Sequence, residues 1–433
     1  MATAASSRDW FGQPRGLTVL FLTEMWEKFS YYGMRALLVY YMTKELLFAP
    51  ERASYVYGLY TALAYFTPIF GGYLSDRWLG RRRAILIGGT TMAIGHFLMA
   101  FPTLLFPALA VIAIGNGLYL PNLPSQVDQL YAGDDPRRGS AYNIYYVGVN
   151  LGAFLAPLVC GTLGEVYGWH YGFGAAGIGM VAGLAIYVTG GAYLPRDRHD
   201  RSPTPAMPGA PPEAVITDAD ETDGLRARIP LMLGVIGAVI LFRGAYEQMG
   251  NSVALWADSD VDRVIGAFTV PATWFQSLNP LLVFLLTPLL VRRWTGAARR
   301  GQERSPLMKM AQGAAGLGIV FLAVALVSLL AEAQGFRPPL IVLIGFIILY
   351  TLAELFILPV GLGLFGRLGG NRFRATAIAA WFFAAFAGNL LAGYVGGFWS
   401  QMDRFSFFVV LATLCALASA ILFILSRNFV GDR

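Results

Sequence analysis

The sequence predicts an all-α integral membrane protein in which twelve transmembrane helices form two bundles of six. Three observations carry that reading. Hydrophobic residues make up 56% of the 433-residue chain and charged residues only 13%, against roughly 25% charged in a soluble domain. Apolar runs of the roughly 20 residues needed to cross a bilayer recur throughout. One polar, proline-rich stretch, 195–228, divides those runs six and six.

In order, the first six runs lie at about 17–44, 53–76, 84–102, 104–130, 140–161 and 170–194. The second six lie at about 229–251, 266–291, 307–332, 338–365, 373–398 and 405–426. Between the halves, the segment PRDRHDRSPTPAMPGAPPEAVITDADETDGLRAR has no apolar period and reads as a flexible linker. The domain expectation is therefore a bundle over 1–194, a linker over 195–228 and a bundle over 229–433. The first twenty residues lack the charged-then-apolar-then-small pattern of a cleavable signal.

Charge sets the expected orientation. With both termini inside, the cytoplasmic connections 77–83, 134–138, 195–228, 292–309 and 367–374 hold twenty of the 32 Lys and Arg residues. The opposite connections hold five: Lys44, Arg52, Arg263, Arg337 and Arg404. This asymmetry follows the positive-inside rule. The net charge of +6 is thereby accounted for without a nucleic-acid partner. Cys160 and Cys415 both lie in apolar runs, and His96, His170 and His199 are scattered, so neither a disulfide framework nor a metal site is expected.

Six charged residues nevertheless sit inside apolar runs: Glu24, Glu27, Lys28, Arg243, Glu247 and Glu354. Each costs about 2.5–3.5 kcal/mol at the bilayer centre on insertion scales, so such groups pair, line wet cavities, or carry ions and substrate. Glu24, Glu27, Lys28 and Tyr31 are spaced i, i+3, i+4, i+7 and share one helix face. A plain Glu24–Lys28 salt bridge is the structural reading. Two carboxylates with a single cation leave one acid uncompensated, which suits it to exchange a proton.

The connection Gly72-Tyr73-Leu74-Ser75-Asp76-Arg77-Trp78-Leu79-Gly80-Arg81-Arg82-Arg83 resembles the G-x-x-x-D-R-x-x-G-R-[RK] loop of the major facilitator superfamily. Two six-helix halves on a cytoplasmic linker is the layout of such transporters, with substrate bound near the midplane between halves. In this reading Gly72 permits close helix approach, and Asp76 and Arg77 form an inner gate. Charge for orientation alone is the plainer reading.

Longer motifs narrow the resemblance. Glu24-x-x-Glu27-Lys28-Phe29-Ser30-Tyr31-Tyr32-Gly33 resembles the E-x-x-E-R-F-x-Y-Y-G signature of the proton-dependent oligopeptide transporters. YNIYYVGVNLGAF at 142–154, FRGAYEQMGNS at 242–252, WFQSLNP at 274–280 and Glu354-Leu355-x-x-x-Pro359-Val360-Gly361 resemble its fifth-, seventh-, eighth- and tenth-helix patterns, in the family's order. The resemblance implies roles. Glu24, Glu27 and Lys28 would couple protons. Glu354 would receive a peptide's amino terminus. Asn150 and Asn279 would hold its backbone and amino end. Tyr31, Tyr32 and Tyr65 would line the carboxylate end. Trp381 would wall a side-chain pocket, with ordinary packing as the alternative for it and for Tyr65. Glu247 would act in inter-helix gating. An acid at one end and cations at the other make a cradle for a zwitterion whose termini lie about 7 Å apart or more.

The departures also count. The signature arginine is Lys28, which keeps the charge but loses the two-pronged fork. Where the family's fourth helix usually reads K-P-N, this chain has Leu120-Pro121-Asn122, and four residues before Glu247 the usual tryptophan is Arg243. Arg243 either neutralises Glu247 at i+4 or supplies the cation missing at Leu120. Arg35 is either a gate residue paired with an outer acid or a snorkelling cation. The linker is too polar for the two extra helices of many bacterial members, so a bare twelve-helix core is expected.

Together these features imply a multi-pass transporter of the plasma (inner) membrane with both termini cytoplasmic. It would import di- or tripeptides or similar solutes by proton symport, using protons and no cofactor, and would act as a monomer in lipid. A family member carrying a non-peptide solute, or uncoupled from protons, is the nearest alternative, and a non-transporting ligand sensor the next. Nothing in the chain resembles an enzyme's nucleophile–base pair, metal triad or phosphate loop.

Overall fold

The computed structural model describes residues 12–131, 135–195, 218–369 and 373–428, the side chains of 218–227, 374 and 375 excepted. The first half contains α1 (Arg15–Tyr40), α2 (Pro50–Leu74), α3 (Arg81–Leu98), α4 (Leu105–Tyr119, resuming over Asn122–Gln129), α5 (Arg138–Ala156) and α6 (Trp169–Thr189). The second contains α7 (Asp218–Tyr246, resuming over Ser252–Ser259), α8 (Trp274–Arg299), α9 (Pro306–Gln334), α10 (Leu340–Leu355, resuming over Leu358–Leu368), α11 (Arg374–Gly396) and α12 (Arg404–Asn428). The short strands β1 (Val264–Ile265) and β2 (Phe268–Thr269) pair antiparallel in the α7–α8 connection.

Among the described residues, nine helices are long and apolar enough to cross a membrane. The other three long helices are α1, α2 and α3. Buried charges dilute α1, tyrosine, glycine and threonine dilute α2, and three arginines open α3. In lipid every backbone polar group must be satisfied within the chain, which is why nearly all of it is helical.

Local sequence sets the helix ends. Pro50 and Pro306 begin α2 and α9, where a missing N–H costs nothing. Ser305 Oγ accepts from Met308 N at 3.3 Å, and Gly335 ends α9 at φ +67°. Gly80, at φ +76°, turns the chain from α2 into α3.

Helix pairing follows the halves. In the first, α1 packs on α5 and α6, and α4 on α2 and α3; in the second, α9 packs on α12, and α7 on α11 and α12. The halves meet along two seams, α2 with α11 and α5 with α8. The first seam depends on small residues. A Cβ on Gly58 would stand 2.3 Å from the Gly393 Cα, and one on Gly396 3.1 Å from the Ser54 side chain. Ser54 itself is fully buried and bonds Asn251 Oδ1 at 3.0 Å. A Gly393→Leu change is therefore expected to part the seam. A cysteine at Ser54 should then react with a membrane-impermeant maleimide, and should stay protected when Gly393 is intact.

The hydrogen bonds and ion pairs joining the halves cluster at the end away from the termini. There the Tyr40 hydroxyl donates to Ala254 O at 3.0 Å, and Lys44 pairs with Asp258 at 2.7 Å. At the terminus-bearing end, Arg137 folds onto Asp135 at 2.6 Å and holds its carboxyl down at about 2. That pair stays ionised throughout any ordinary assay range, so it adds nothing to the pH dependence of uptake.

Four expectations need correction. The eighth helix starts at Trp274, not near 266, because Gly266 and Pro271 direct the apolar stretch before it into a hairpin and turn. It runs on through Arg292 and Arg293 to Arg299, since arginine and alanine favour helix whatever their polarity. The seventh helix starts at Asp218, inside the stretch read as linker; the acidic residues of 218–221 suit a helix N-terminus. The rest of that stretch, 196–217, lies outside the described residues. Finally, the close approach assigned to Gly72 belongs to Gly71, whose Cβ would stand 2.0 Å from Gly117 O, whereas Gly72 meets only Pro121 at 3.7 Å.

Candidate functional site

A cavity of about 240 Å³ lies between the halves. Tyr32, Tyr65 and Asn150 line it from the first half, and Arg243, Asn279 and Glu354 from the second. Arg35 and Glu247 stand at its far rim. Each of these is delivered by a helix, and the polar ones share the inward face of an otherwise apolar span.

The rim is an ion network across the halves. Arg35 Nη2 lies 2.5 Å from Glu247 Oε2, and its Nε donates to the Tyr57 hydroxyl at 2.7 Å. On α7, Arg243 Nη1 lies 2.8 Å from Glu247 Oε1, one helical turn away. Glu247 thus bridges two guanidiniums, and the trio keeps one net positive charge. Arg35 uses its donors on Tyr57 and Glu247. Arg243 also gives Nη1 to Glu247, but its guanidinium stacks 4.9 Å over the Tyr65 ring, and its buried Nε–H has no partner.

Glu354 has the opposite character. Its Oε2 accepts from Asn279 Nδ2 at 2.7 Å, and Asn279 also reaches Thr351 Oγ1 at 3.0 Å. No cation lies within ion-pair distance of Glu354 among the described residues. It occupies the last turn before α10 breaks at Phe356 and Ile357, where Pro359 cannot continue the hydrogen-bond ladder. The cavity therefore holds an acid without a counter-ion at Glu354 and, at Arg35, Glu247 and Arg243, one guanidinium more than carboxylates. An ammonium suits the first and a carboxylate the second.

Behind the wall, Lys28 Nζ stands 3.3 Å from Glu24 Oε1 and 2.6 Å from Glu27 Oε2. All three side chains are buried, and neither Glu27 oxygen receives a well-aligned hydrogen bond. None of the three lines the cavity. Tyr32 connects the two layers, since it lines the cavity one turn along α1 from Lys28.

The other candidates lie elsewhere. Tyr31 is not in the wall; its ring packs edge-on to Tyr32 and stacks on Tyr60, 6.4 Å away. Trp381 is buried against Phe365, 5.4 Å between ring centres, and presses on Gly361 behind α10. Asp76 and Arg77 are exposed at the terminus-bearing end. Arg77 donates to the Tyr73 hydroxyl at 2.8 Å, while Asp76 has no ion pair among the described residues and does not cap α3. Asn122 ties α4 to α2 by accepting from Ser75 Oγ at 2.6 Å. Tyr57, which steers Arg35, and Tyr246, Gln276 and Tyr350, which line the cavity, were not singled out from sequence. A tyrosine in an apolar run carries no sign of whether it faces a cavity or a neighbouring helix.

Comparison with known proteins identifies the family and the fold. The sequence pattern of the Major Facilitator Superfamily matches residues 20–358. The peptide transporter YePEPT of Yersinia enterocolitica is 31% identical, covering 96% of this chain and 93% of its own. A di-/tripeptide transporter of Lactococcus lactis subsp. cremoris is also 31% identical, covering 99% and 98%. The chain belongs to the proton-dependent oligopeptide transporter family of the major facilitator superfamily. A crystal structure of a mutant peptide transporter POT in complex with alafosfalin superposes with a TM-score of 0.86 at 30% identity, covering 98% of this chain and 96% of that one. The family consists of transporters, not enzymes, and the chain is a multi-pass membrane protein.

Proposed function

We propose that this transporter is a symporter that imports di- and tripeptides, or solutes of the same zwitterionic shape, together with protons. The observation that carries the reading is the pairing within one cavity of Glu354, an acid without a cation, and Arg243, which shares the single Glu247 carboxylate with Arg35 and so leaves a positive charge in excess. The peptide's ammonium would dock at Glu354 and Asn279, and its carboxylate at Arg243. Asn150, Tyr32 and Tyr65 would contact its backbone and flanks. Because Lys28 lies behind the wall, Arg243 rather than Lys28 is the cation we assign to the carboxylate.

Proton coupling would run through Glu24 and Glu27. When either carboxyl binds a proton, Lys28 loses a partner, and its charge acts on the cavity through the wall formed by Tyr32. The two halves, 1–194 and the bundle that opens with α7 at Asp218, would rock about the cavity, with the stretch between them as linker. Both termini would face the cytoplasm, so the end closed by Arg35 and Glu247 would face outward. Asp76 and Arg77, unlatched here, would close the inner end in the opposite state. Trp381 and Tyr31 would support the walls from behind. The transporter would work as a monomer in the plasma (inner) membrane.

A second reading has an observation of its own. Lys28 and Leu120 stand where the family's cations usually do, so the charge set is altered and another solute could fit it. Thermal melting of the purified protein with added ligands separates the two. Dipeptides are expected to raise the melting temperature, and nitrate and single amino acids to leave it unchanged. Stabilisation by anions alone would favour the second reading.

A further inference from the structure

Instead of stopping as ordinary helix, α5 ends in two wide π turns, Pro157–Gly161 and Leu163–Tyr167, with Thr162 between them. Such turns re-aim side chains. These bring Gly161, Thr162 and Glu165 of the first half onto the start of α8 in the second. Glu165 Oε2 accepts from Ala272 N at 3.1 Å, and its Oε1 accepts from Thr273 N at 2.8 Å and Thr273 Oγ1 at 2.6 Å. Thr162 Oγ1 accepts from Trp274 Nε1 at 2.8 Å. Thr273 fills a notch at Gly161, where a Cβ would come within 2.1 Å of its Oγ1.

The start of any helix leaves N–H groups without partners and carries a partial positive charge. A threonine at the N-cap position ordinarily meets that need within its own chain segment. Thr273 occupies that position in α8 with helical backbone angles, φ −62° and ψ −30°, and makes no such bond; its hydroxyl points to Glu165 and donates to it. A carboxylate from the opposite half thus stands beside the N-terminus of α8, bonding the two backbone N–H groups that lead into it. We infer that Glu165 is a positioning residue: it latches the end of the transporter away from the termini by serving, across the halves, as the cap of α8, and it lets go in every transport cycle. On release, Thr273 can turn to cap its own helix and hydrated Glu165 is stable in water, so neither side is left with orphaned polar groups. The latch thereby holds the closed state without trapping it.

The inference goes beyond the peptide reading and applies whatever the solute, so its test uses no substrate. Spin labels are placed on cysteines at Leu47 and Ile265, which are 81% and 59% exposed on opposite halves; the native Cys160 and Cys415 are buried. Distances are measured by electron paramagnetic resonance in lipid nanodiscs. Glu165→Ala is expected to raise the long-distance, open population relative to the closed one about tenfold, the effect of losing a cap worth about 1.4 kcal/mol. Glu165→Gln, which keeps the size but not the charge, should give a smaller shift the same way. Gly161→Val, which fills the notch from the other side, should also favour the open state. Thr273→Val should shift less than Glu165→Ala, because it removes a bond from both states. If these variants melt at lower temperature with the distance distribution unchanged, Glu165 is an ordinary structural contact and the inference is wrong.

Discussion

Replacing Arg243 with alanine is expected to abolish uptake. Arg243 lines the cavity and is one of the two cations on the single Glu247 carboxylate, so it supplies the excess positive charge. Removing it costs the substrate carboxylate a charge-assisted contact of about 1.5–3 kcal/mol, roughly a 10- to 150-fold loss in apparent affinity. The rim should survive, since Arg35 still holds Glu247 at 2.5 Å. Loss of binding with an intact fold is therefore the expected signature, seen as a normal melting temperature that dipeptides no longer raise. The double change Leu120→Lys with Arg243→Trp restores the family's usual arrangement and should regain part of the uptake. Normal transport by the alanine variant would remove Arg243 from the site.

The second large effect is expected from Glu27→Gln. Glu27 is fully buried and has Lys28, 2.6 Å away, as its charge partner. Glutamine fits the space but cannot bind and release a proton at accessible pH. Uptake driven by an inward proton gradient should fall at least about tenfold. Exchange of labelled for unlabelled dipeptide across the membrane, which needs no net proton movement, should persist. The sign of the pH response follows: wild-type uptake rises as the outside becomes more acidic, and the variant's stays flat. If both modes of transport are lost together, Glu27 serves the fold rather than the coupling.

Much of this site was legible in the sequence because charge inside an apolar run is costly and therefore conspicuous. The spacing of Glu24, Glu27 and Lys28 anticipated a three-way cluster, and the pair Arg243 and Glu247 a one-turn contact; both form. Of the two readings of Arg35, pairing with an acid is the one realised, through Glu247. What sequence left open was depth. Helix periodicity says that Lys28 and Tyr32 share a face, but not that one lies behind the cavity wall and the other in it. Helix limits were legible where composition and helicity coincide, as in α9. They were missed at Trp274, where an apolar stretch folds as a hairpin, and at Asp218, where a polar one folds as a helix. The latch at Glu165 gave no local signal, because its partners at Ala272 and Thr273 are over a hundred positions away along the chain.

The central claim is that solute and proton cross together. Purified protein in liposomes that enclose a pH-sensitive dye, with the membrane potential clamped at zero, tests it most directly. Adding an outside dipeptide should acidify the lumen in step with accumulation of the labelled peptide, and the Glu27→Gln protein should produce no acidification. Peptide accumulation with a constant lumen pH, or no peptide entry at all, would contradict the account.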